Sequence, residues 1–337
     1  MSPPQIGGAV LPLGLEIAQG PTDQRAIRLG QKQAQSILAR GSKSFALAGA
    51  LLGAGVRQDA AVLYAWCRLA DDCIDLARSA GRAQAVADLR GELDAVFRGA
   101  VRQPLLIALH ELVTRIRLPR AYLDDLIDGF AMDAGGVRYP SMAALDLYAY
   151  RVAGVVGLMM CHVLGVRDSR CVPQAAHLGM AMQLTNICRD VVEDWQCGRQ
   201  YLPFDQVARD QLGKAVEVPS FADAERATVA HAVAALLERA DVYYESGMKG
   251  LRDLGWRNAL AIGAAARIYR AIGRRIARRR FDVFAGRAVV SLPAKLGLTI
   301  GSVWSLLLDL PRRLRHEKVG LRLPPTTLRF SDVQGTG

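Results

Sequence analysis

The sequence predicts an all-α protein with one domain, and three observations support this. From about Thr22 to Leu310, apolar residues recur at spacings of three and four, which is the period of an amphipathic helix. Alternation of apolar and polar residues bounded by turn pairs, which is typical of strands, is hard to find there. No Gly-, Ser- or Pro-rich linker divides this region, so we expect one domain over residues 22–310.

The elements follow in chain order. Residues 1–21 carry four of the 14 prolines and are predicted to form an irregular arm. The prolines at positions 104, 119, 140, 173, 203 and 219 are predicted to mark helix starts or connections between helices. The predicted helices are 22–40, 57–80, 82–99, 104–117, 119–134, 141–165, 173–196, 221–250, 256–284 and 292–310. Residues 311–337 are predicted to be a basic, flexible tail.

Composition and charge limit the classes of function. The 337 residues are 51% hydrophobic, which excludes a disordered polymer. With 43 Lys and Arg against 32 Asp and Glu, the net charge is +11, which suits nucleic acid, an anionic membrane or a polyanionic small substrate. Because no signature interleaves aromatic residues with the arginines, we expect no nucleic-acid partner.

The cysteines and the first residues predict a cytoplasmic protein. Six cysteines contain no C-x-x-C pair, which argues against a zinc ribbon or a disulfide framework. Residues 1–20 lack a basic segment followed by a continuous apolar segment, as a secretion signal would have. The apolar stretch 296–310 leaves two interpretations open, a core helix or a segment resting on the inner face of a membrane.

An acidic cluster lies in the apolar helical run of residues 63–77. It contains Asp71, Asp72 and Asp75. Residues four apart leave the same helix face one turn apart, so the carboxylates of Asp71 and Asp75 repel each other. A buried run that keeps this pair needs a bound cation or basic partners, and Arg68 lies one turn before Asp72.

A second cluster repeats the pattern more than 100 residues later. Residues 182–203 contain Asp190, Glu193 and Asp194, again with two aspartates four apart in an apolar setting. Asn186, one turn before Asp190, adds a neutral oxygen to the same face. Arg189 directly precedes Asp190 and suits a phosphate, although it could also only neutralise the aspartates.

Two facing carboxylate walls would form a cage of hard oxygens. Such ligands suit Mg²⁺ or Mn²⁺, and substrate phosphates usually complete a magnesium site. No His or Cys lies in register with the clusters, and the Glu-x-x-His pairs of a di-iron bundle do not occur. We therefore expect a site with two or three Mg²⁺ ions that binds a diphosphate.

At these residues the sequence resembles the squalene/phytoene synthase family of head-to-head prenyl diphosphate synthases. The matching segments are 41–48, 63–75, 148–160, 182–203 and 266–298, in the family's order and at its approximate spacing. Within the family, the bacterial phytoene synthases are the most similar. The resemblance implies a single-domain isoprenoid synthase bundle of helices around a central cavity.

The resemblance also implies roles for individual residues. Metal ligation falls to Asp71, Asp72, Asp75, Asn186, Asp190, Glu193 and Asp194. Catalysis falls to Tyr64 and Arg68 together with Asp71, Asp75, Asp190 and Asp194. Substrate binding falls to Ser42, Phe45, Tyr150, Gln183, Asn186, Arg189, Arg199, Tyr269 and Arg287. Arg199 would point inward from a loop that closes over the diphosphates.

The implied reaction joins two molecules of geranylgeranyl diphosphate through prephytoene diphosphate to phytoene, without a nicotinamide. One alternative within the family is a presqualene diphosphate, squalene or C15-using dehydrosqualene synthase. Another, of a different class, is a non-catalytic relative that acts as an assembly or binding factor. The expected partners are prenyl diphosphates and a membrane contacted peripherally, and no oligomeric state is predicted.

Overall fold

A computed structural model describes residues 23–77, 81–134, 138–166, 171–203, 223–316 and 328–334. The described residues form helices, turns and irregular connections without a strand, which confirms the all-α prediction. The helices are α1 (Gln24–Gly41), α2 (Lys43–Gly49), α3 (Ala54–Leu76), α4 (Arg82–Arg98), α5 (Pro104–Arg115), α6 (Arg120–Ala134), α7 (Met142–Ala149), α8 (Val155–Val163), α9 (Val172–Gln196), α10 (Asp223–Gly250), α11 (Trp256–Arg278), α12 (Leu292–His316) and α13 (Phe330–Gln334).

Helix α9 lies at the centre of the bundle and packs against α8, α10 and α11. It begins with Pro173 in its first turn and buries an apolar face that includes Leu184 and Val191. Its approach to α8 is close because glycines stand at the crossing. A Cβ on Gly157 would lie 2.1 Å from the carbonyl oxygen of Ala175, so only glycine allows this packing.

The predicted helix 141–165 is interrupted by a π-helical turn, Tyr150–Gly154, between α7 and α8. The span Met142–Val163 is apolar and long enough to cross a membrane, but 56% of its 18-residue window is buried. Because Val152, Ala153 and Val156 line the central cavity, this span serves as a core element of the bundle. The π-helical turn inserts an extra residue, which changes the side chains that face inward.

Two other elements differ from the prediction. The seven-residue helix α2 was not expected; it follows α1 directly because the Ser42 hydroxyl accepts a hydrogen bond from the backbone N–H of Phe45 and caps its start. Helix α11 ends at Arg278 rather than at residue 284. There Arg280 and Phe281 adopt φ values of 55° and 61°, which a helix cannot continue through.

The C-terminal segment returns to the core. Helix α12 continues to His316, past the predicted boundary at residue 310, and Val333 in α13 is 1% exposed. The Tyr150 hydroxyl donates to the Leu328 carbonyl at 2.9 Å, and the Phe330 ring packs against the Tyr150 ring. The predicted basic tail is therefore partly helical and partly packed on the bundle. The predicted N-terminal arm, residues 1–21, lies outside the described residues.

Candidate active site

A cavity of about 640 Å³ lies in the middle of the bundle, between α2, α3, α8, α9 and α11. Its polar side chains are Ser42, Ser44, Arg57, Tyr64, Arg68, Asp71, Asp133, Tyr148, Gln183, Asn186, Arg189, Tyr269 and Arg287. Its other walls are mainly aliphatic, with Leu164, Val166, Leu251 and Leu254 among them. Such a space accepts a molecule with a charged head and a long apolar tail.

The first acidic cluster lies near the C-terminal end of α3, and arginines pair with its carboxylates. Arg68 contacts Asp72 at 2.7 Å and Asp71 at 3.5 Å. The Asp75 carboxylate accepts a hydrogen bond from Arg199, which follows α9. As predicted from their spacing, Asp71 and Asp75 lie one turn apart on the helix.

The second cluster lies near the C-terminal end of α9. The Asp190 carboxylate accepts hydrogen bonds from the Nε atoms of Arg189 at 2.7 Å and Arg287 at 2.8 Å. Asn186 is on the cavity wall, and its buried side-chain oxygen has no hydrogen-bond partner among the described residues. A buried amide oxygen without a partner is costly unless a ligand or cation satisfies it.

The pKa values of the carboxyls reflect this crowding. Burial and the nearby Asp75 raise the pKa of Asp71 to about 7. Burial and the nearby Asp190 likewise raise the pKa of Asp194 to about 7. Burial also acts to raise the pKa of Asp190, but the guanidinium groups of Arg189 and Arg287 outweigh it and lower that pKa. One carboxyl in each cluster therefore titrates near neutral pH when no cation is present.

Asp133 on α6 lies close to both clusters, and it was not among the predicted site residues. Its carboxylate accepts hydrogen bonds from the hydroxyls of Tyr148 and Tyr201, each at 2.8 Å. Its charge acts on both Asp71 and Asp194. Helix α6 carries four aspartates, so its sequence alone does not distinguish Asp133 from the other three. Only the tertiary approach of α6 brings Asp133 to the site.

Tyr148 faces the cavity, whereas the predicted Tyr150 does not line it. The Tyr150 side chain is 1% exposed and is used in packing the C-terminal segment. Side chains two residues apart lie on nearly opposite faces of a helix, and of these two tyrosines it is Tyr148 that faces the cavity. We therefore correct the prediction for Tyr150.

The other predicted residues divide by position. Phe45, Tyr64 and Tyr269 form an aromatic group on the cavity wall, with Phe45 stacked on Tyr269 at 5.4 Å between ring centroids. Ser42, Gln183 and Arg287 also line the cavity. Glu193 and Asp75 are exposed at its margin.

Among the described residues, no three carboxylate, His or Cys side chains already converge as a metal site. Arginines instead pair with Asp72, Asp75 and Asp190. The donor set nevertheless fits a hard divalent cation, because it offers carboxylates from two helices and the unpartnered oxygen of Asn186. Cation binding would displace the protons of Asp71 and Asp194.

Comparisons of the sequence and of the structure with known proteins point to one family. The sequence profile described as squalene/phytoene synthase matches residues 38–294. A 15-cis-phytoene synthase from Paracoccus sp. is 42% identical over 269 residues, which cover 77% of this chain and 86% of that protein. One from Enterobacter agglomerans is 37% identical over 272 residues, covering 78% and 91%. Among solved structures, a dehydrosqualene synthase in complex with a ligand has a TM-score of 0.74 at 29% identity, covering 84% of this chain and 99% of that one.

Proposed function

This chain belongs to the squalene/phytoene synthase family, and we propose that it joins two molecules of geranylgeranyl diphosphate head to head to form phytoene. Phytoene synthesis is the function that its curated bacterial relatives support, since several at 35–42% identity carry that name. The predicted family and fold are thereby confirmed. The chain is accordingly a transferase of the prenyltransferase type.

One observation carries the proposal: a cavity with charged residues from two acidic helices beside long aliphatic walls. Along α9, its lining runs from Arg189 to Cys171, which at 1.5 Å per residue is about 27 Å. That length suits an extended prenyl tail, and its burial is favourable by about 0.8 kcal/mol for each CH₂ group. In this proposal the charged residues would hold the diphosphate.

The residues that would hold Mg²⁺, or Mn²⁺ in its place, are Asp71, Asp75, Asp190 and Asp194, with Asp72, Asn186 and Glu193 nearby. When bound, such a cation neutralises the diphosphate leaving group and lowers the barrier to its departure. The arginines that pair with the carboxylates in this structure can exchange them for phosphate oxygens, which match the fork of a guanidinium group.

The chain's own residues then control the carbocations. Loss of diphosphate from one substrate leaves an allylic cation, the double bond of the second attacks it, and proton loss closes the cyclopropane of prephytoene diphosphate. A second ionisation and rearrangement join the two C1 carbons, and a final proton loss gives the triene of phytoene. The aliphatic walls exclude water, while the rings of Tyr64, Tyr269 and Phe45 can stabilise positive charge.

A second candidate is a C15-using enzyme, because the dehydrosqualene synthase named above shares the fold at 29% identity. The two candidates differ in substrate length, so a competition assay separates them. Purified protein with Mg²⁺ and without nicotinamide would receive equal amounts of geranylgeranyl and farnesyl diphosphate. We expect a C40 triene to dominate the organic extract and to disappear with EDTA. A C30 product in its place would support the second candidate, and no hydrocarbon would contradict both.

We also propose that the protein works in the cytoplasm against the inner face of a membrane. Substrate tails and the hydrocarbon product are far more soluble in lipid than in water. The charge of +11 favours an anionic surface.

A further inference from the structure

Helix α12 carries an apolar face that no other described part of the chain covers. Its exposed apolar residues are Leu292 at 63%, Leu296 at 48%, Ile300 at 59%, Val303 at 40% and Trp304 at 65%. They recur at spacings of three and four, so they form one stripe along the helix, which we call the α12 stripe. Single exposed apolar residues are ordinary on a protein surface, but a stripe of five with a tryptophan is not.

Two side chains in the first half of α12 bond to neighbouring helices, so the stripe is not the result of a detached helix. The Ser302 side chain, 2% exposed as a residue, accepts a hydrogen bond from Arg267 of α11 at 2.8 Å. Lys295 donates to the Ser44 hydroxyl at 3.1 Å, which joins α12 to α2. Both α2 and α11 also line the central cavity, so α12 covers the outside of a cavity wall.

A group of arginines lies beside one end of the α12 stripe. Arg274, Arg275 and Arg278 are exposed, and none has an acidic partner within the described part of the chain. Arg267 of α11 contacts Ser302 of α12, and the two helices run in opposite directions. Arg278 and Leu292, the first residue of α12, each lie about 15 Å along their helices from that contact. Arg278 is therefore level with the beginning of α12. An apolar stripe thus adjoins free positive charge.

We propose that the α12 stripe and these arginines form a docking surface for an anionic lipid bilayer. The apolar side chains and Trp304 would enter the boundary between head groups and acyl chains, and the arginines would contact the lipid phosphates. A second copy of this chain is disfavoured as the occupant, because each copy brings a net charge of +11 to the contact. This inference concerns the surface and does not depend on the reaction proposed above.

Vesicle flotation tests the apolar part of the surface. The full chain is mixed with vesicles of phosphatidylcholine containing phosphatidylglycerol, and the bound fraction is measured. We expect the double variant Leu296→Ser/Ile300→Ser to bind roughly tenfold more weakly, because two apolar contacts are lost. The matched control is Leu29→Ser/Val242→Ser, which changes two residues, each 49% exposed, on α1 and α10. Equal binding by both double variants would overturn the proposal.

The arginines are tested by charge and salt. We expect the triple variant Arg274→Gln/Arg275→Gln/Arg278→Gln to lose most of its preference for phosphatidylglycerol, and binding of the unchanged protein to weaken as salt rises. The control Arg25→Gln/Arg28→Gln/Lys32→Gln removes three exposed charges from α1 and should keep that preference. If both triple variants lose it equally, only the net charge matters and the proposed surface is wrong.

Three further outcomes would show that something other than a lipid bilayer covers the α12 stripe, or that no bilayer binds. A dimer without lipid that becomes a monomer in Leu296→Ser/Ile300→Ser would assign the stripe to a second copy. Vesicle binding only after removal of residues 1–21 would assign it to the N-terminal arm. Either result overturns the proposal, as does a full chain that binds no vesicles. Turnover of geranylgeranyl diphosphate in detergent separates these failures from a failure of the proposed function, because Leu296→Ser/Ile300→Ser should keep it.

Discussion

Arg199 donates a hydrogen bond to Asp75, and this contact joins the segment after α9 to the acidic cluster on α3. The two residues are 124 positions apart, yet one guanidinium group lies between the two acidic helices. Its charge also lowers the pKa of Asp194, in opposition to the burial of that carboxyl. Arg199 therefore holds the two carboxylate walls together in the absence of a cation.

Replacing Arg199 tests this role. We expect Arg199→Gln to reduce kcat by roughly 10²-fold, as happens when an oriented charge beside a leaving group is lost. Arg199→Lys, which keeps the charge but not the planar fork, should retain more activity. Steady-state kinetics with geranylgeranyl diphosphate would measure both variants. Unchanged kcat in Arg199→Gln, with normal thermal stability, would show that the contact has no part in turnover.

Asp71 and Asp190, one aspartate from each cluster, predict stability changes of opposite sign. The pKa of Asp71 is raised, so its ionised form is disfavoured by folding, and Asp71→Asn should stabilise the metal-free protein at pH 8. The pKa of Asp190 is lowered, so its ionised form is favoured, and Asp190→Asn should destabilise it by leaving two arginines without their carboxylate. Thermal melting in EDTA would measure both. Shifts in the same direction would contradict this account of the electrostatics.

Asp71→Asn and Asp190→Asn should also lose turnover while keeping the circular dichroism of a helical protein, because each removes a predicted metal ligand from one of the two acidic helices. Retained activity in both would contradict the metal-binding role of these residues.

The raised pKa values predict how magnesium activation depends on pH. Because Asp71 and Asp194 titrate at about 7, protons compete with the cation below that pH. The Mg²⁺ concentration for half-maximal activity should therefore fall as pH rises from 6 to 8. The same Mg²⁺ titration of Asp194→Glu, which keeps a carboxylate, provides the comparison. A requirement for Mg²⁺ that does not change with pH would contradict the predicted competition.

Tyr148 and Tyr150 form a matched pair of variants, because Tyr148 lines the cavity and Tyr150 packs the C-terminal segment. Tyr148→Phe removes a donor to Asp133 inside the cavity, and we expect kcat to fall at least about tenfold. Tyr150→Phe removes a hydrogen bond to Leu328 outside it, so unfolding free energy should fall by about 1 kcal/mol while kcat remains. Kinetics and denaturant unfolding of both variants test this. The reverse pattern would restore Tyr150 to the substrate-binding residues.

The sequence predicted long helices and acidic clusters well because each depends on local spacing. Asp71 and Asp75 share a helix face through a four-residue step that needs no knowledge of the rest of the chain. Helix α2 has seven residues and is too short for its apolar period to be recognised. Helix α11 was predicted too long because Phe281, Val283 and Phe284 continue the apolar pattern past its end.

Tertiary relationships were beyond the reach of spacing. Asp133 joins the site only because α6 places it beneath two tyrosines that are distant in sequence. Which of Tyr148 and Tyr150 faces the cavity depends on how their helix is rotated against its neighbours, and the local sequence pattern does not show that rotation. The return of residues 328–334 to the core likewise depends on contacts with Tyr150 and His177.

The central claim, a head-to-head condensation in the central cavity, is tested most directly with geranylgeranyl diphosphate labelled with ¹³C at C1. Purified protein, Mg²⁺ and the labelled substrate are incubated without nicotinamide, and the hydrocarbon product is examined by ¹³C NMR. The account predicts a C40 triene in which the two labelled carbons are the two equivalent olefinic CH carbons at its centre. The label then gives a single enriched resonance, and the proton-coupled spectrum shows the second-order splitting of two directly bonded ¹³C nuclei. Label on carbons that are not bonded to each other, or a product of one prenyl chain only, would contradict it.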